Sequence, residues 1–330
     1  MYACHAMAPR FSDQPREIHR EMVWIPGGRF RMGSNSTEYP EEGPVRQVSV
    51  DGFWIDITPV TVREFGHFVE ATGYVTVAER EINPSEYPQL DPSLLRPGSL
   101  VFKAPPGGRV DLSNFVSWWS YVPGADWAHP SGPDSDVLGR ELHPVTHVAW
   151  DDVLAYATWA GKYLPTEAEW EFAARGGLDG AMYAWGDEFQ PGGRIMANTW
   201  RGEFPFLDLK AEHERGTTEV GAYPPNGYGL FDMIGNVWEW TSDFYTFRQE
   251  SIVTGSCCGE VNPRSDEPSF SYDAHEPGGA HIPRRVVKGG SHLCAPNYCQ
   301  RYRPAARQPQ QVESGMSHLG FRCIRRVSPT

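Results

Sequence analysis

Residues 165–177 read Pro165-Thr166-Glu167-Ala168-Glu169-Trp170-Glu171-Phe172-Ala173-Ala174-Arg175-Gly176-Gly177. Thr166 and Glu169 have the spacing of a capping box, in which a side-chain oxygen and a carboxylate satisfy each other's orphan N–H groups. The paired glycines then end the helix, because glycine tolerates the left-handed turn that closes one. Two further helices are legible upstream. Thr61-Val62-Arg63-Glu64 is another capping box, followed by Phe65, Phe68 and Val69 on one face and stopped by Gly73. Asp151 to Ala160 carries Val153, Leu154 and Ala157 and stops at Gly161. Beyond Gly177 the pattern changes to short strands and loops dominated by Trp, Tyr and Gly: Tyr183-Ala184-Trp185-Gly186, Asn226-Gly227-Tyr228-Gly229-Leu230 and Trp238-Glu239-Trp240. Upstream, Met22 to Gly28 reads as a short strand meeting a glycine turn, and residues 259–284 as a surface excursion rich in Pro, Ser, Asp and Gly.

Composition supports an irregular architecture. The 330 residues include 34 glycines and 29 prolines, against roughly 12% usual for the pair. So much punctuation argues against a helical bundle and for short elements joined by well-specified loops. No composition break or fixed-period repeat divides the chain, so residues 22–327 read as a single domain, with 1–21 a flexible N-terminal tail. The formal charge of -13 repels phosphate backbones and anionic membranes, so neither nucleic acid nor a membrane is an expected partner. No stretch approaches the roughly 18 apolar residues of a membrane span, and the N-terminus lacks the apolar core of a secretory signal. The cytoplasm is the expected compartment.

Six cysteines are unevenly placed: Cys4, the vicinal Cys257-Cys258, Cys294, Cys299 and Cys323. In Ser291-His292-Leu293-Cys294-Ala295-Pro296-Asn297-Tyr298-Cys299 two thiols flank a Pro-Asn turn, with Arg301, Arg303 and Arg307 close behind. Guanidinium groups favour thiolate over thiol, and the thiolate is both nucleophile and metal ligand. Two thiolates alone make a poor structural zinc site, which needs four ligands. They suit a soft, low-coordinate ion such as Cu(I) or a redox-active dithiol, and two buried apolar cysteines fit the spacing equally well. The vicinal pair sits in a flexible setting and reads as incidental.

Other candidates are weaker. His143 and His147 are four apart, but Pro144, Val145, Thr146 and Val148 suggest extended chain, which would separate the rings by about 13 Å and preclude a shared metal. Asp232 and Glu239 flank the glycine turn Met233-Ile234-Gly235-Asn236-Val237-Trp238. Such a turn can cage a hard cation such as Ca2+, although two surface carboxylates explain the same pattern. Gly27 to Gly33 matches no phosphate- or dinucleotide-binding fingerprint.

Taken together, VWIPGGRFRMGS, ATGYVTVAE, DWAHPSGPDS, HPVTHVAWDDVLAYATWAGKYLPTEAEWEFAARGG, PPNGYGLFDMIGNVWEWTSDFY, KGGSHLCAPNYCQRYRPAAR and LGFRC resemble the formylglycine-generating enzymes, or sulfatase-modifying factors, of bacterial type. The likeness runs from about Met22 to Arg325, and the two cysteines within GGS-x-x-C-x-x-x-Y-C-x-R-Y-R are its most specific part. The resemblance implies an irregular, loop-rich α+β fold, distantly like a C-type lectin, with little regular secondary structure. It implies oxidation by O2 of the cysteine in a Cys-x-Pro-x-Arg motif of an unfolded sulfatase to Cα-formylglycine, with a thiol reductant and a monomeric enzyme. Cu(I) would be held by Cys294 and Cys299, with Ser291, Tyr298 and Trp238 lining the pocket and Trp118 or Trp119 walling the peptide arginine. Structural Ca2+ would be held by Asp232, Glu239 and the Gly235 and Val237 carbonyls. A second set would comprise Asn198, the Thr199 carbonyl, Glu212 and the Glu214 carbonyl.

The chain departs from the family in two places. Ala174 and Pro304 stand where vertebrate members have disulfide partners, leaving Cys323 as a reduced, buried thiol. The segment 308–318 differs from the usual loop beside the active site. Two other functions remain on the same fold: a non-catalytic binding module, which need not retain the paired cysteines, and another oxygenase, such as an iron enzyme, which would need a histidine-rich motif.

Overall fold

A computed structural model describes residues 22–83, 95–105, 107, 110–247, 259–273 and 281–327. Cys4, Cys257 and Cys258 lie outside them. The order is β1 (Met22–Ile25), β2 (Gly28–Met32), β3 (Arg46–Val50), β4 (Phe53–Asp56), α1 (Val62–Thr72), β5 (Gly98–Phe102), β6 (Trp119–Pro123), α2 (Trp150–Trp159) and α3 (Glu167–Arg175). Short strands follow: β7 (Gly202–Glu203), β8 (Leu207–Asp208), β9 (Trp238–Phe244), β10 (Glu260–Val261), β11 (Arg284–Lys288), β12 (Arg307–Gln311), β13 (Leu319–Gly320) and β14 (Ile324–Arg326). The sheets run β1-β4-β14, β10-β3-β2 and β12-β11-β9-β13, with β5-β6 and β7-β8 as separate pairs. This is the loop-rich α+β class expected from the sequence. No helix of the described residues is long and apolar enough to cross a membrane.

The helices start and stop where their caps require. Thr61 and Glu64 form the box on α1, and Gly73 closes it at φ +67°. Thr166 and Glu169 form the box on α3, and Gly176 closes it at φ +57°. A side chain at Gly176 would place its Cβ 2.7 Å from the Gly227 nitrogen, so close approach as well as the left-handed turn selects glycine there.

The acids of α3 have a second role that the helix pattern alone does not show. Each turns into the protein and meets a cation from a different strand. Glu167 takes Arg307 of β12 in a two-bond fork at 2.8 and 3.0 Å, Glu169 takes Arg326 of β14 at 2.7 and 2.8 Å, and Glu171 takes Lys288 of β11 at 3.0 Å. Arg175 closes back on Glu171 at 2.6 Å. Buried ions persist only when paired, so α3 fixes the mutual position of three strands drawn from two sheets. Between the acids, Trp170 is fully buried and donates its indole N–H to Glu239 of β9 at 2.8 Å.

The segment expected to be a surface excursion is partly structural. Glu260 and Val261 pair in parallel with Val48 and Ser49 of β3, and the Ser265 amide donates to Asp243 at 2.6 Å. Its polar residues make strand-edge and turn contacts that composition cannot distinguish from solvation.

Candidate active site

The two cysteines project from a loop that leaves β11 through Gly289 and Gly290, at φ +92° and +72°. A Cβ on Gly290 would stand 2.9 Å from the Arg301 carbonyl, so the loop can fold back on itself only with glycine there. The Cys294 amide donates to the Ser291 carbonyl at 3.0 Å and the Cys299 amide to the Ala295 carbonyl at 2.9 Å. These turns set the sulfurs 3.3 Å apart, in hydrogen-bond contact and well beyond the ~2.05 Å of a disulfide. The Ser291 amide points at Cys294 Sγ from 3.4 Å. Both cysteines are buried, Cys294 at 2% exposure and Cys299 at 7%, so Cys299 is the sulfur nearer solvent.

The two thiols are shifted in opposite directions. The hydrogen bond from Cys294 pulls the Cys299 thiol down to about 6, and the Arg301 guanidinium 4.0 Å away adds to this against burial. Burial and then the same bond push Cys294 up. Of the three arginines read as thiolate partners, only Arg301 reaches a sulfur. Arg303 forks onto Glu42 at 2.6 and 2.9 Å, and Arg307 is committed to Glu167. Sequence proximity overstated that positive charge.

Around the thiols, Tyr298 is 38% exposed and its ring stacks on Phe204 at 4.6 Å and edge-on to Trp118 at 5.3 Å. Burial, then the charge of Cys299, push its phenol up to about 12, so it keeps its proton at neutral pH. The Ser291 hydroxyl bonds to the Leu293 amide at 3.2 Å and to His318 Nδ1 at 3.1 Å. Trp238 is buried in the same core cluster as both cysteines. Trp118 is buried, while Trp119 packs edge-on to His318 at 4.7 Å.

Several contributors escaped the sequence reading. Glu41 grips Arg301 at 2.6 Å, and the Tyr39 ring lies under Arg301 and Arg303 at 4.5 and 4.9 Å. Asn297 clamps the Phe204 backbone from both sides, at 3.1 and 3.2 Å. A cavity of about 350 Å3 bordered by Phe102, Trp200, His292 and Leu293 adjoins the loop, with neither cysteine in its lining.

His143 and His147 do not converge, as expected, though not for the expected reason. The stretch is not a strand, and His147 turns at φ +61°. His147 bonds Ser99 at 2.9 Å, His143 bonds Thr217 at 2.9 Å, and burial pushes His147 down to about 4.

Among the described residues no three His, Cys, Asp or Glu side chains gather to hold a metal. The thiol pair fits a soft monovalent ion. In the first calcium set Asp232, at φ +53°, accepts the Gly221 amide at 2.7 Å, and burial pushes its carboxyl up to about 6 with Glu239 adding repulsion. A buried carboxylate held above its usual range suits a hard dication, which would favour its ionised form. Glu239 is also held by Arg322 at 2.7 and 2.8 Å, which leaves Asp232 as the charge to be neutralised. The second set does not fit. Asn198 and Thr199 are buried, but Glu212 is exposed, and the Lys210 ammonium lies 3.1 Å from Asn198 Oδ1.

The chain matches the sulfatase-modifying factor enzyme 1-like domain over residues 7–327 and belongs to that family, the formylglycine-generating enzymes. It is 51% identical to the formylglycine-generating enzyme of Mycobacterium tuberculosis, over 92% of this chain and 97% of that one. It is 46% identical to the enzyme of Thermomonospora curvata, over 94% of each. It is also 44% identical to the inactive Cα-formylglycine-generating enzyme 2 of Bos taurus, over 92% of this chain and 87% of that one. PvdO from Pseudomonas aeruginosa shares the fold at TM-score 0.60 and 22% identity, over 93% and 94% of the two chains.

Proposed function

We propose that this chain is an active formylglycine-generating enzyme. In this reading it oxidises, with O2, the cysteine of a Cys-x-Pro-x-Arg motif in an unfolded sulfatase to Cα-formylglycine. Cys294 and Cys299 hold Cu(I), and an external thiol supplies electrons. Family membership alone does not decide activity, since an inactive relative is nearly as similar as the active ones. The observation that carries the reading is the buried thiol pair at 3.3 Å with the Arg301 guanidinium 4.0 Å from Cys299 Sγ. A binding module has no need of a thiolate held in this way.

Copper, when bound, supplies the electron transfer that activates O2. The chain's own groups do the rest. Arg301, braced by Glu41, keeps Cys299 ionised, and the Ser291 amide holds Cys294 in place. Tyr298, protonated and half in solvent, offers a hydrogen bond where a peptide thiol would arrive. The shell of Trp118, Phe204 and Trp238 excludes water. Asp232, Glu239 and the Gly235 and Val237 carbonyls are proposed to hold one structural Ca2+. We also propose a cytoplasmic monomer, in keeping with the acidic composition and reduced thiols.

The test is oxygen uptake by copper-loaded enzyme with and without a Cys-x-Pro-x-Arg peptide, followed by mass spectrometry of the peptide. Uptake that needs the peptide and yields the aldehyde is expected. Formylglycine formation undiminished under strong Cu(I) chelation would exclude the copper reading, and no product from loaded enzyme would leave a binding module.

A further inference from the structure

The environment of Lys210 bears on one expectation taken from the family. Its side chain is almost fully buried, at 4% exposure, and its Nζ lies 3.1 Å from Asn198 Oδ1 and 3.8 Å from Asp208 Oδ2. Asn198 Oδ1 is the atom to which a second calcium would bind. Calcium binds oxygen at about 2.3–2.6 Å, so both cations on that atom would stand no more than about 6 Å apart. Three positive charges at that separation in a dry site repel strongly. The one acid that should serve the dication, Glu212, is exposed on a 3-10 turn that also carries Glu214, whose carbonyl was the other expected ligand.

We propose that the Lys210 ammonium replaces the second calcium ion, so that the 198–216 loop is held by a cation supplied by the chain itself and takes up no calcium. The charge balance supports this. The ammonium is paired with Asp208, 3.8 Å away, whose side chain also accepts the Lys210 amide at 3.1 Å. A dication would need the second acid that the loop leaves in solvent.

The substitution matters because the loop reaches the active site. Asn198 accepts the Asn236 amide at 2.9 Å and donates to Gly216 at 2.9 Å and to the Asn236 side chain at 3.2 Å. Two residues on, the Trp200 amide donates to the Cys294 carbonyl at 2.9 Å. Arg215 closes the far end by donating to the Lys210 carbonyl at 3.3 Å. The ammonium therefore braces the frame that seats one of the two thiols. This inference rests on family membership and not on the reaction proposed above.

Calcium counting decides it. After chelation and dialysis, wild-type protein and a Glu212→Gln/Glu214→Gln variant would be titrated with Ca2+ and examined by native mass spectrometry. The expected count is at most one ion per chain, the same in both. A second ion per chain would overturn the proposal. In parallel, Lys210→Met should lower the melting temperature by roughly 3–8 °C, equally with Ca2+ and with chelator, because it leaves Asp208 and Asn198 without their cation. A variant melting within a degree of wild type would also overturn it. If Lys210→Met does not fold, the count on the other two proteins still decides.

Discussion

Arg301 Nη1 stands 4.0 Å from Cys299 Sγ, while the other arm of the same guanidinium holds Glu41 at 2.6 Å. The charge beside the outer sulfur is thus anchored to a segment some 260 residues away in sequence. Cys299 should show a thiolate midpoint near 6, set by the Cys294 hydrogen bond first and Arg301 second. Arg301→Met should raise that midpoint by about a unit, making metal-free enzyme roughly tenfold slower to alkylate with iodoacetamide at pH below the midpoint. Thiolate absorbance across a pH series provides the check. An unmoved profile would assign the acidity to the Cys294 bond alone.

The cysteines should separate by role. Cys294→Ser and Cys299→Ser should each abolish turnover and weaken Cu(I) binding, since a neutral hydroxyl is a poor ligand for a soft ion. Cys4→Ser should keep most activity. Cys323→Ala should also keep activity and lose about 1 kcal/mol of stability, as a fully buried residue of the main core. Chelator competition and peptide turnover measure the first pair, and urea melts the last. Wild-type turnover by Cys299→Ser would remove the two-thiolate site.

What the sequence disclosed depended on the range of the interaction. The three helices were legible because capping boxes and terminal glycines act within four residues: Thr61 with Glu64, Thr166 with Glu169, then Gly73 and Gly176. The thiol pair was legible for the same reason, since a five-residue turn fixes it. Glu41, Tyr39 and Phe204 were not, because each meets the site through contacts spanning 93 to 261 positions. The arginine reading failed from the opposite side. Arg303 and Arg307 lie near Cys299 in sequence but are drawn away by Glu42 and Glu167. Lys210 was passed over because a buried lysine has no local signature.

The α3 network should weaken only in acid. Burial alone would push Glu167 up, but Arg307 and then Lys288 overcome it and hold its carboxyl at about 2. A carboxylate depressed in the folded state adds stability that is present above its unfolded value of 4.5 and is lost as pH falls towards 2. Arg307→Met should cost about 3–5 kcal/mol at pH 7, because it strands a buried charge. It should also flatten the pH dependence of stability between 4.5 and 2. Urea unfolding at a series of pH values tests both, and an Arg307→Met curve parallel to wild type would show that Lys288 alone holds Glu167.

Calcium stabilisation should itself depend on pH, through Asp232. Its carboxyl is pushed up to about 6 from 3.8, by burial first, with the Glu239 charge adding to it against the Gly221 hydrogen bond. A group raised in the folded state contributes stability fully present below its unfolded value and lost as pH rises through the folded one. Metal-free protein should therefore become less stable between pH 3.8 and about 6 on account of this residue. Calcium reverses the sign, because it binds the ionised carboxylate. At fixed sub-millimolar Ca2+ the gain in melting temperature should grow from pH 5 to pH 7. Each unit below the midpoint costs about tenfold in apparent affinity, or about 1.4 kcal/mol. Asp232→Ala should be less sensitive to pH without metal and should show no calcium gain at either pH. Scanning calorimetry with Ca2+ and with chelator at the two pH values makes the comparison. A calcium gain equal at pH 5 and pH 7, or one that survives in Asp232→Ala, would place the ion elsewhere.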